Sequence, residues 1–554
     1  MRDIGEWVRQ SGQHIQHAFA VDWRGSRHFL FMLILLIVSS AATASFYIGQ
    51  PGQPEFSYDT PSYLTVTQHI LANGNLVDPL RTPGYPFLVA LVFLVAGAGN
   101  FLAVSLVQGV LFVLATLEVY VLTVLLLRKS WVAFAVGLLV GTNTYLLSFV
   151  KPIIVEGFAL WLTVSLALAV VLFIQTVKPG YLWLVAGFML VLFMTRPEWI
   201  YLPAPLFAYL LIATRRHGKL RRLLLHGIVA VVLLYSVLGL FIYANATQNG
   251  YAGISYVQNI NMVGKVLQYH MQDEAPPQYA AVAREVDSFA AHGGWNPYNL
   301  VHQYPPIAAN QWSLGGAYAS SVIEGHPIQF LVDTIVTFFT SSDQYRAFAE
   351  VDAHGPVATP PLKAQVAFSA YVARTYRFFP LFALLWGVLL FWRRASRLGA
   401  VEAMAAVILI ALYELALTTI AGYSNYDYAR FHVPFDPLMI IVIWGTVLAS
   451  LPLWEGILMR LRLSGRVIWW VWGVVIVSAL VGSVLISWIT LGINEAANPQ
   501  SWLVVQLLLT HPPRILTVLA LAVLITFLSY RADRRLQKIA GESDLCKDVE
   551  ARVL

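Results

Sequence analysis

The sequence predicts an all-α polytopic membrane protein with about twelve transmembrane helices, interfacial helices in the first outer loop, and one large outer loop. The first sign is composition. Of 554 residues, 58% are hydrophobic and only 12% charged, about half the charge of a soluble domain. The second is run length. Stretches such as Phe101–Leu127, Leu223–Ala244 and Val467–Leu491 reach the ~20 residues that a helix needs to cross a bilayer. They do not alternate every second residue, which argues against a closed barrel. The third is the placement of basic residues, which cluster in short segments between the apolar runs.

The first run begins near Phe29 and is longer than the ~7–15 residues of a cleavable signal. Despite the Ala42-Thr43-Ala44 cleavage look-alike, it reads as a retained span. Spans are predicted at about 28–48, 101–127, 131–150, 153–177, 181–195, 199–214, 223–245, 377–392, 400–421, 434–452, 468–491 and 514–530. With a cytoplasmic N-terminus, five basic clusters then fall on the cytoplasmic side: Arg128–Lys129, Arg215–Arg222, Arg393–Arg397, Arg460–Arg466 and Arg531–Lys538. That is the arrangement expected of a membrane protein. The formal charge of +6 therefore calls for no nucleic acid partner; membrane lipids are the surroundings. The lone Cys546 excludes a disulfide within the chain.

The resulting organisation is a cytoplasmic segment 1–27, an N-terminal membrane module 28–245, a large outer loop 246–376, a C-terminal module 377–530 and a cytoplasmic tail 531–554. The first module contains the first outer loop, 49–100. In that loop Thr60 can cap a helix and Pro61 suits its first position. Apolar Tyr63, Leu64, Val66, Ile70 and Leu71 follow at helical spacing, with Ser62, Thr65, Gln68, His69 and Asn73 on the other face. Such a helix lies in the membrane surface. Pro83–Ala96 predicts a second, oblique helix, and Pro327–Phe339 a third in the large loop.

Ionisable residues near the outer span ends are few. They are the cations Arg81, Lys151, Arg196 and Arg430, with the carboxylates Asp59, Glu156, Glu198 and Asp427. They have bland readings: Arg196 and Glu198 can pair, Arg430 can pair with Asp427 three residues before it, Lys151 can snorkel to headgroups, and Asp59 can help cap the helix at Thr60. Together, on one side of a bundle, they predict an anion-binding, acid/base-capable site. Glu118 lies too deep for surface chemistry, and Glu414 is a weaker candidate within a late span.

The motifs around these residues resemble the GT-C superfamily of membrane glycosyltransferases. The matching segments are Tyr58-Asp59-Thr60-Pro61-Ser62-Tyr63-Leu64, His69–Gly74, Arg81-Thr82-Pro83-Gly84-Tyr85-Pro86, Val155–Trp161, Thr195-Arg196-Pro197-Glu198 and Ala429-Arg430-Phe431-His432-Val433-Pro434. They are most similar to bacterial transferases that put aminoarabinose on lipid A and to protein O-mannosyltransferase-like enzymes. The resemblance covers the first 245 residues and, locally, 420–440. It implies transfer of a sugar from a polyprenyl-phosphate donor to a hydroxyl of a lipid, glycan or protein acceptor. It also implies a multi-pass protein of the cell inner membrane whose site faces the periplasm or exterior.

On that resemblance Asp59 is the candidate base, and Arg430 and Arg196, then Lys151 and Arg81, are candidates for the donor phosphate. Glu156, Glu198, Tyr63, Tyr85 and His432 are candidates for acceptor or substrate contact. His302, His326 and the Trp and Tyr residues of the large loop are weaker lining candidates. A lone carboxylate base implies inversion at the anomeric carbon. Several relatives carry two adjacent acids in the first loop, whereas here Asp59 is followed by Thr60. On this reading no cofactor is required and a metal shared by an acidic pair is not indicated; a divalent cation with Glu156 as a ligand is the alternative. A transporter or flippase of lipid-linked sugars is one alternative, although no inverted repeat is visible. A glycan polymerase or ligase using lipid pyrophosphate is another.

Overall fold

The computed structural model describes residues 26–49, 56–57, 59–215, 220–340, 360–392 and 399–451. The expected spans at 468–491 and 514–530, the N-terminal segment and the C-terminal tail lie outside these residues. The chain divides into two compact units, residues 1–445 and 446–554, and all that follows concerns the first. No strand occurs among the described residues.

The elements, in order, are α1 (Ser26–Gly49), α2 (Thr60–Asn73), α3 (Gly84–Ala96), α4 (Phe101–Leu127), α5 (Ser130–Gly141), α6 (Thr144–Val150), α7 (Glu156–Thr176) and α8 (Pro179–Phe193). After a short 3-10 turn come α9 (Pro203–Thr214), α10 (Leu220–Asn249), α11 (Val257–Gln268), α12 (Ala280–Ala291), α13 (Pro297–Gln303), α14 (Ala309–Gly325) and α15 (Pro327–Thr340). The last are α16 (Pro360–Arg374), α17 (Phe379–Trp392), α18 (Gly399–Ala421), α19 (Asn425–His432) and α20 (Asp436–Ile440), which runs into a π turn.

Among the described residues, six helices are long and apolar enough to span a membrane, including Phe101–Leu127, Glu156–Thr176 and Leu220–Asn249. The chain is a multi-pass membrane protein. The span expected at 131–150 is instead two helices, α5 and α6, bent by 52°. Asn143 causes the restart: its side chain accepts from the amides of Tyr145 at 3.0 Å and Leu146 at 3.3 Å, which caps a new helix. The span expected at 181–195 is α8, of 15 residues, and the one expected at 199–214 is α9, shortened to 12. Pro197 and Pro203 stand between them, and proline cannot donate within a helix.

Alternation of the helices brings the short turns 151–155, 194–202 and 422–435 to the same end as the first loop. Direct bonds knit that end together. Thr60 Oγ1 donates to the Ile153 carbonyl at 2.9 Å, the Gly84 amide donates to the Met194 carbonyl at 2.6 Å, and the Tyr145 hydroxyl donates to the Ala429 carbonyl. Gly84 is required by that close approach. A Cβ there would stand 2.4 Å from Thr195 Oγ1 and 2.6 Å from the Met194 carbonyl oxygen, and a backbone atom cannot swing aside. Gly84→Ala should cost about 1–3 kcal/mol of stability through overpacking, measurable as a lower Tm of the purified protein. An unchanged Tm would show that the first loop is not wedged against the 194–196 turn.

The first loop and the large loop follow the same logic. Helix α3 buries Tyr85, Val89, Ala90 and Phe93 while exposing Leu91, Leu94 and Val95, the two faces of a helix lying between protein and lipid. Helices α11 to α15 share a core of their own, with Val263, Val286, Leu300, Ile307 and Tyr318 fully buried. This small domain docks on the first loop through Ser255 Oγ, which donates to the Leu80 carbonyl at 2.6 Å, and through the Tyr256 amide, which donates to the Pro79 carbonyl at 2.9 Å.

Candidate active site

Asp59 precedes the first turn of α2 but does not cap it; no side-chain capping bond forms. Its carboxylate faces two guanidiniums instead. Arg81 Nη2 donates to Oδ1, and Arg430 Nη1 donates to Oδ2 at 2.6 Å. Arg81 is itself fixed. Its Nε donates to Ser62 Oγ at 2.8 Å, and its guanidinium lies 4.6 Å from the centroid of the Tyr63 ring. Before it, Asp78 Oδ1 accepts from the Leu80 and Arg81 amides, both at 2.8 Å, a turn that aims the arginine side chain at α2. The capping reading of Asp59 is thus replaced by an ion triad in which one carboxylate serves two cations.

Arg430 joins this triad to a second carboxylate. Its Nε lies 3.1 Å from Glu156 Oε1, at the first residue of α7. Glu156 is 1% exposed. The i, i+3 partner suggested by spacing was Asp427; its carboxylate accepts from Ser424 Oγ at 2.7 Å, closing the N-terminal turn of α19. Burial opposes ionisation of Asp59, but the charges of Arg430 and Arg81, with their hydrogen bonds, outweigh it and hold the carboxyl down at about 2. Asp59 is therefore an anion throughout the physiological range.

Arg196 stands beside this cluster. Its Nε donates to Glu198 Oε1, and it lies 5.0 Å from the Phe431 ring centroid. Its charge acts on Glu156, while its Nη1 is buried without a hydrogen-bond partner. The Glu198 carbonyl accepts from the Tyr413 hydroxyl. The pairing of Arg196 with Glu198 holds, and the pair adjoins Arg430 through Phe431, 4.9 Å from the Arg430 guanidinium.

The other sequence candidates divide. Tyr63 is buried against the Arg81 guanidinium. Tyr85 is fully buried behind it, ring centroids 5.1 Å apart, with its hydroxyl donating to Gln108 Oε1 at 2.6 Å. Gln108 in turn donates to the carbonyls of Val150 and Pro152 at 2.6 and 2.7 Å. Tyr85 supports the wall of the site rather than presenting a free hydroxyl. Lys151 is buried at the end of α6, its carbonyl accepting from Ser105 Oγ at 2.7 Å. His432 is fully buried, and burial pushes its imidazole down to about 3, so it is neutral and a poor anion ligand. His326 lies in the large loop, 3.2 Å from Glu274.

Tyr298 of α13 was not singled out in the sequence. It is half-exposed, and its phenol lies within electrostatic reach of Arg81, Asp59 and Arg430. Its ring meets Trp312 edge-on at 6.3 Å. Trp312 ends three successive left-handed residues, Asn310 to Trp312. Nothing local marks Tyr298 among the many aromatics of the loop.

The structure thus brings Asp59, Arg81, Glu156 and Arg430 together, with Arg196 and Glu198 alongside. Two carboxyl groups and two guanidiniums together, with burial raising Glu156 against the charges of Arg430 and Arg196, can bind a phosphate by exchange of partners and leave the Asp59 carboxylate beside it. A scan against protein-family models and a search of curated proteins find no match. Among solved structures, the chain is similar to archaeal oligosaccharyltransferase AglB from Archaeoglobus fulgidus in complex with an inhibitory peptide and a dolichol-phosphate, at 12% identity over 93% of this chain and 56% of that one, TM-score 0.42. The apo form of the A. fulgidus oligosaccharyltransferase matches at 12% identity over 92% and 56%, TM-score 0.41. ArnT from Cupriavidus metallidurans, in the apo state, matches at 13% identity over 79% of this chain and 80% of that one, TM-score 0.30. The chain spans just over half the length of the archaeal protein, 56%. The chemistry below rests on the residues of this chain.

Proposed function

We propose that the chain is a membrane glycosyltransferase that moves a sugar from a polyprenyl phosphate to an acceptor hydroxyl, with inversion, at the outer face of the inner membrane. The observation that carries the reading is the Asp59 carboxylate held between Arg81 and Arg430 at one end of a membrane bundle. Lipid phosphates lie at that depth, and arginine grips two phosphate oxygens at once.

The same geometry suggests the order of events. While both guanidiniums hold Asp59, its basicity is low. A donor phosphate competes for Arg430 and Arg81, and each contact shifted from carboxylate to phosphate makes Asp59 a stronger base. The acceptor hydroxyl then attacks the anomeric carbon and Asp59 takes its proton. The bond from that carbon to the phosphate oxygen breaks, and the two arginines stabilise the charge that develops on the leaving phosphate. Glu156 keeps Arg430 aimed into the site when Asp59 releases it. Arg196 supplies further positive charge, and Tyr63 and Tyr298 line the approach.

No metal is needed for these steps, because the positive charge between Asp59 and Glu156 is the Arg430 guanidinium. Purified protein offered a panel of lipid monophosphate and pyrophosphate sugars should glycosylate an acceptor only from a monophosphate, and chelator should leave the rate unchanged. Product formation from pyrophosphate alone would replace this reading with a glycan polymerase or ligase. Labelled lipid that crosses vesicles with no product would replace it with a transporter.

A further inference from the structure

Lys265 of α11 is 1% exposed and belongs to none of the pairs above. A buried ammonium costs several kcal/mol unless its protons are satisfied. Here Nζ donates to Tyr428 Oη at 2.7 Å, Gln268 Oε1 at 3.0 Å and Tyr269 Oη at 3.2 Å. It also lies 4.8 and 5.1 Å from the Tyr269 and Tyr428 ring centroids. A methionine would fill the same volume without that cost, so the ammonium needs a reason beyond packing.

The reason lies two residues beyond Tyr428, at Arg430. Helix α11 presses on the chain that leads into α19: a Cβ on Gly264 would stand 2.4 Å from Tyr423 Cγ. From the opposite side, the Ala429 carbonyl accepts the Tyr145 hydroxyl. We propose that Lys265 is a positioning residue for Arg430. By pinning Tyr428 it sets α19 in the register at which the guanidinium falls between Asp59 and Glu156. The small domain built from the large loop therefore fixes the arginine that the membrane helices use. The functional weight of this clamp rests on Arg430 holding the donor phosphate.

The clamp has a proton signature. Burial lowers Lys265 and Asp427 raises it, with a net value of about 7. The other groups on the packed elements are Tyr269, Tyr423 and Tyr428, all raised by burial; Asp333 of α15 acting on Tyr269; Tyr298, Arg430 and Asp59 acting on Tyr423; Asp427, raised by burial; and His432, lowered to about 3. Opening α19 would return Lys265 to water, where its ordinary value is about 10.4, so opening takes up a proton between these limits. An opened His432 titrates below pH 7, and opened tyrosines titrate at ~10, above the range from 7 to 9.

Amide hydrogen exchange over 425–432, on the full chain in detergent without substrate, tests the clamp. After correction for intrinsic exchange, the opening constant should be flat just below pH 7 and fall about tenfold per pH unit from 7 to 9. In Lys265→Met it should be flat across 7 to 9, and the donor KM should rise about 10-fold. Should the Met variant not fold, Tyr428→Phe keeps the ring and removes one oxygen, so the slope should begin at lower pH. A wild-type protein with no slope, or a slope that persists in Lys265→Met, overturns the clamp. The exchange needs no donor, so a slope in a protein that transfers no sugar would fault the glycosyltransferase reading alone.

Discussion

Asp59→Asn should reduce turnover by about 10²-fold or more per folded molecule. The amide keeps the size of the carboxylate and one acceptor oxygen, so Arg81 or Arg430 retains a partner. It cannot take the acceptor proton. It also removes the anion shared by two guanidiniums that are only 13% and 12% exposed, and full loss of a buried partner costs about 3–5 kcal/mol. The variant should therefore be less stable as well as slower, and turnover must be scaled to the folded fraction. The acid limb separates the two effects. Because the carboxyl is held down at about 2, its contribution to wild-type stability is complete above its unfolded value near ~4 and is lost as pH falls through 2. Asp59→Asn should lack that component. Near-normal turnover in a folded Asn variant would leave Asp59 as a counter-ion alone.

Arg430→Lys should raise the donor KM and cut kcat/KM by about 10²-fold while the protein still folds. The arginine makes divergent contacts, Nη1 to Asp59 Oδ2 at 2.6 Å and Nε to Glu156 Oε1 at 3.1 Å. A lysine ammonium is a single point on a flexible stem and cannot hold both carboxylates while gripping two phosphate oxygens. The charge balance of the cluster survives, so stability should change little. Unchanged donor affinity and turnover in Arg430→Lys would remove Arg430 from the phosphate site and leave Arg81 and Arg196 as the remaining cations.

The sequence made the membrane class and the charged residues legible because both are local. Run length gives the spans, and Asp59, Arg81, Glu156, Arg196 and Arg430 stand out as ionisable residues at apolar boundaries. Pairing was legible only where it is local, as between Arg196 and Glu198. Spacing offered Asp427 to Arg430 and an N-cap to Asp59, yet α2 leaves Asp59 uncapped and the two residues meet across the fold. Asn143 read as part of one span and instead restarts the helix at α6. Gln108 looked like one polar residue in a long apolar run, and only the fold shows it holding Tyr85 and two carbonyls. Tyr298 was legible only as one of the large loop's tyrosines and Lys265 not at all, since the loop is rich in aromatics and polar groups without a period that marks which face the site.

Asp59 and Arg430 are 371 residues apart, and that separation has a consequence for biogenesis. A chain emerging from the ribosome places α2 and Arg81 at the membrane surface long before α19 is made. Until then Asp59 has one guanidinium, and Glu156, at the mouth of α7, has the charge of Arg196 but not that of Arg430. On the proposed function, the nascent first half carries no complete phosphate grip until α18 and α19 are made. A chain that stalls before Arg430 keeps its hydrophobic spans and the pairs Asp59–Arg81 and Arg196–Glu198, and lacks only the cation that links Asp59 to Glu156.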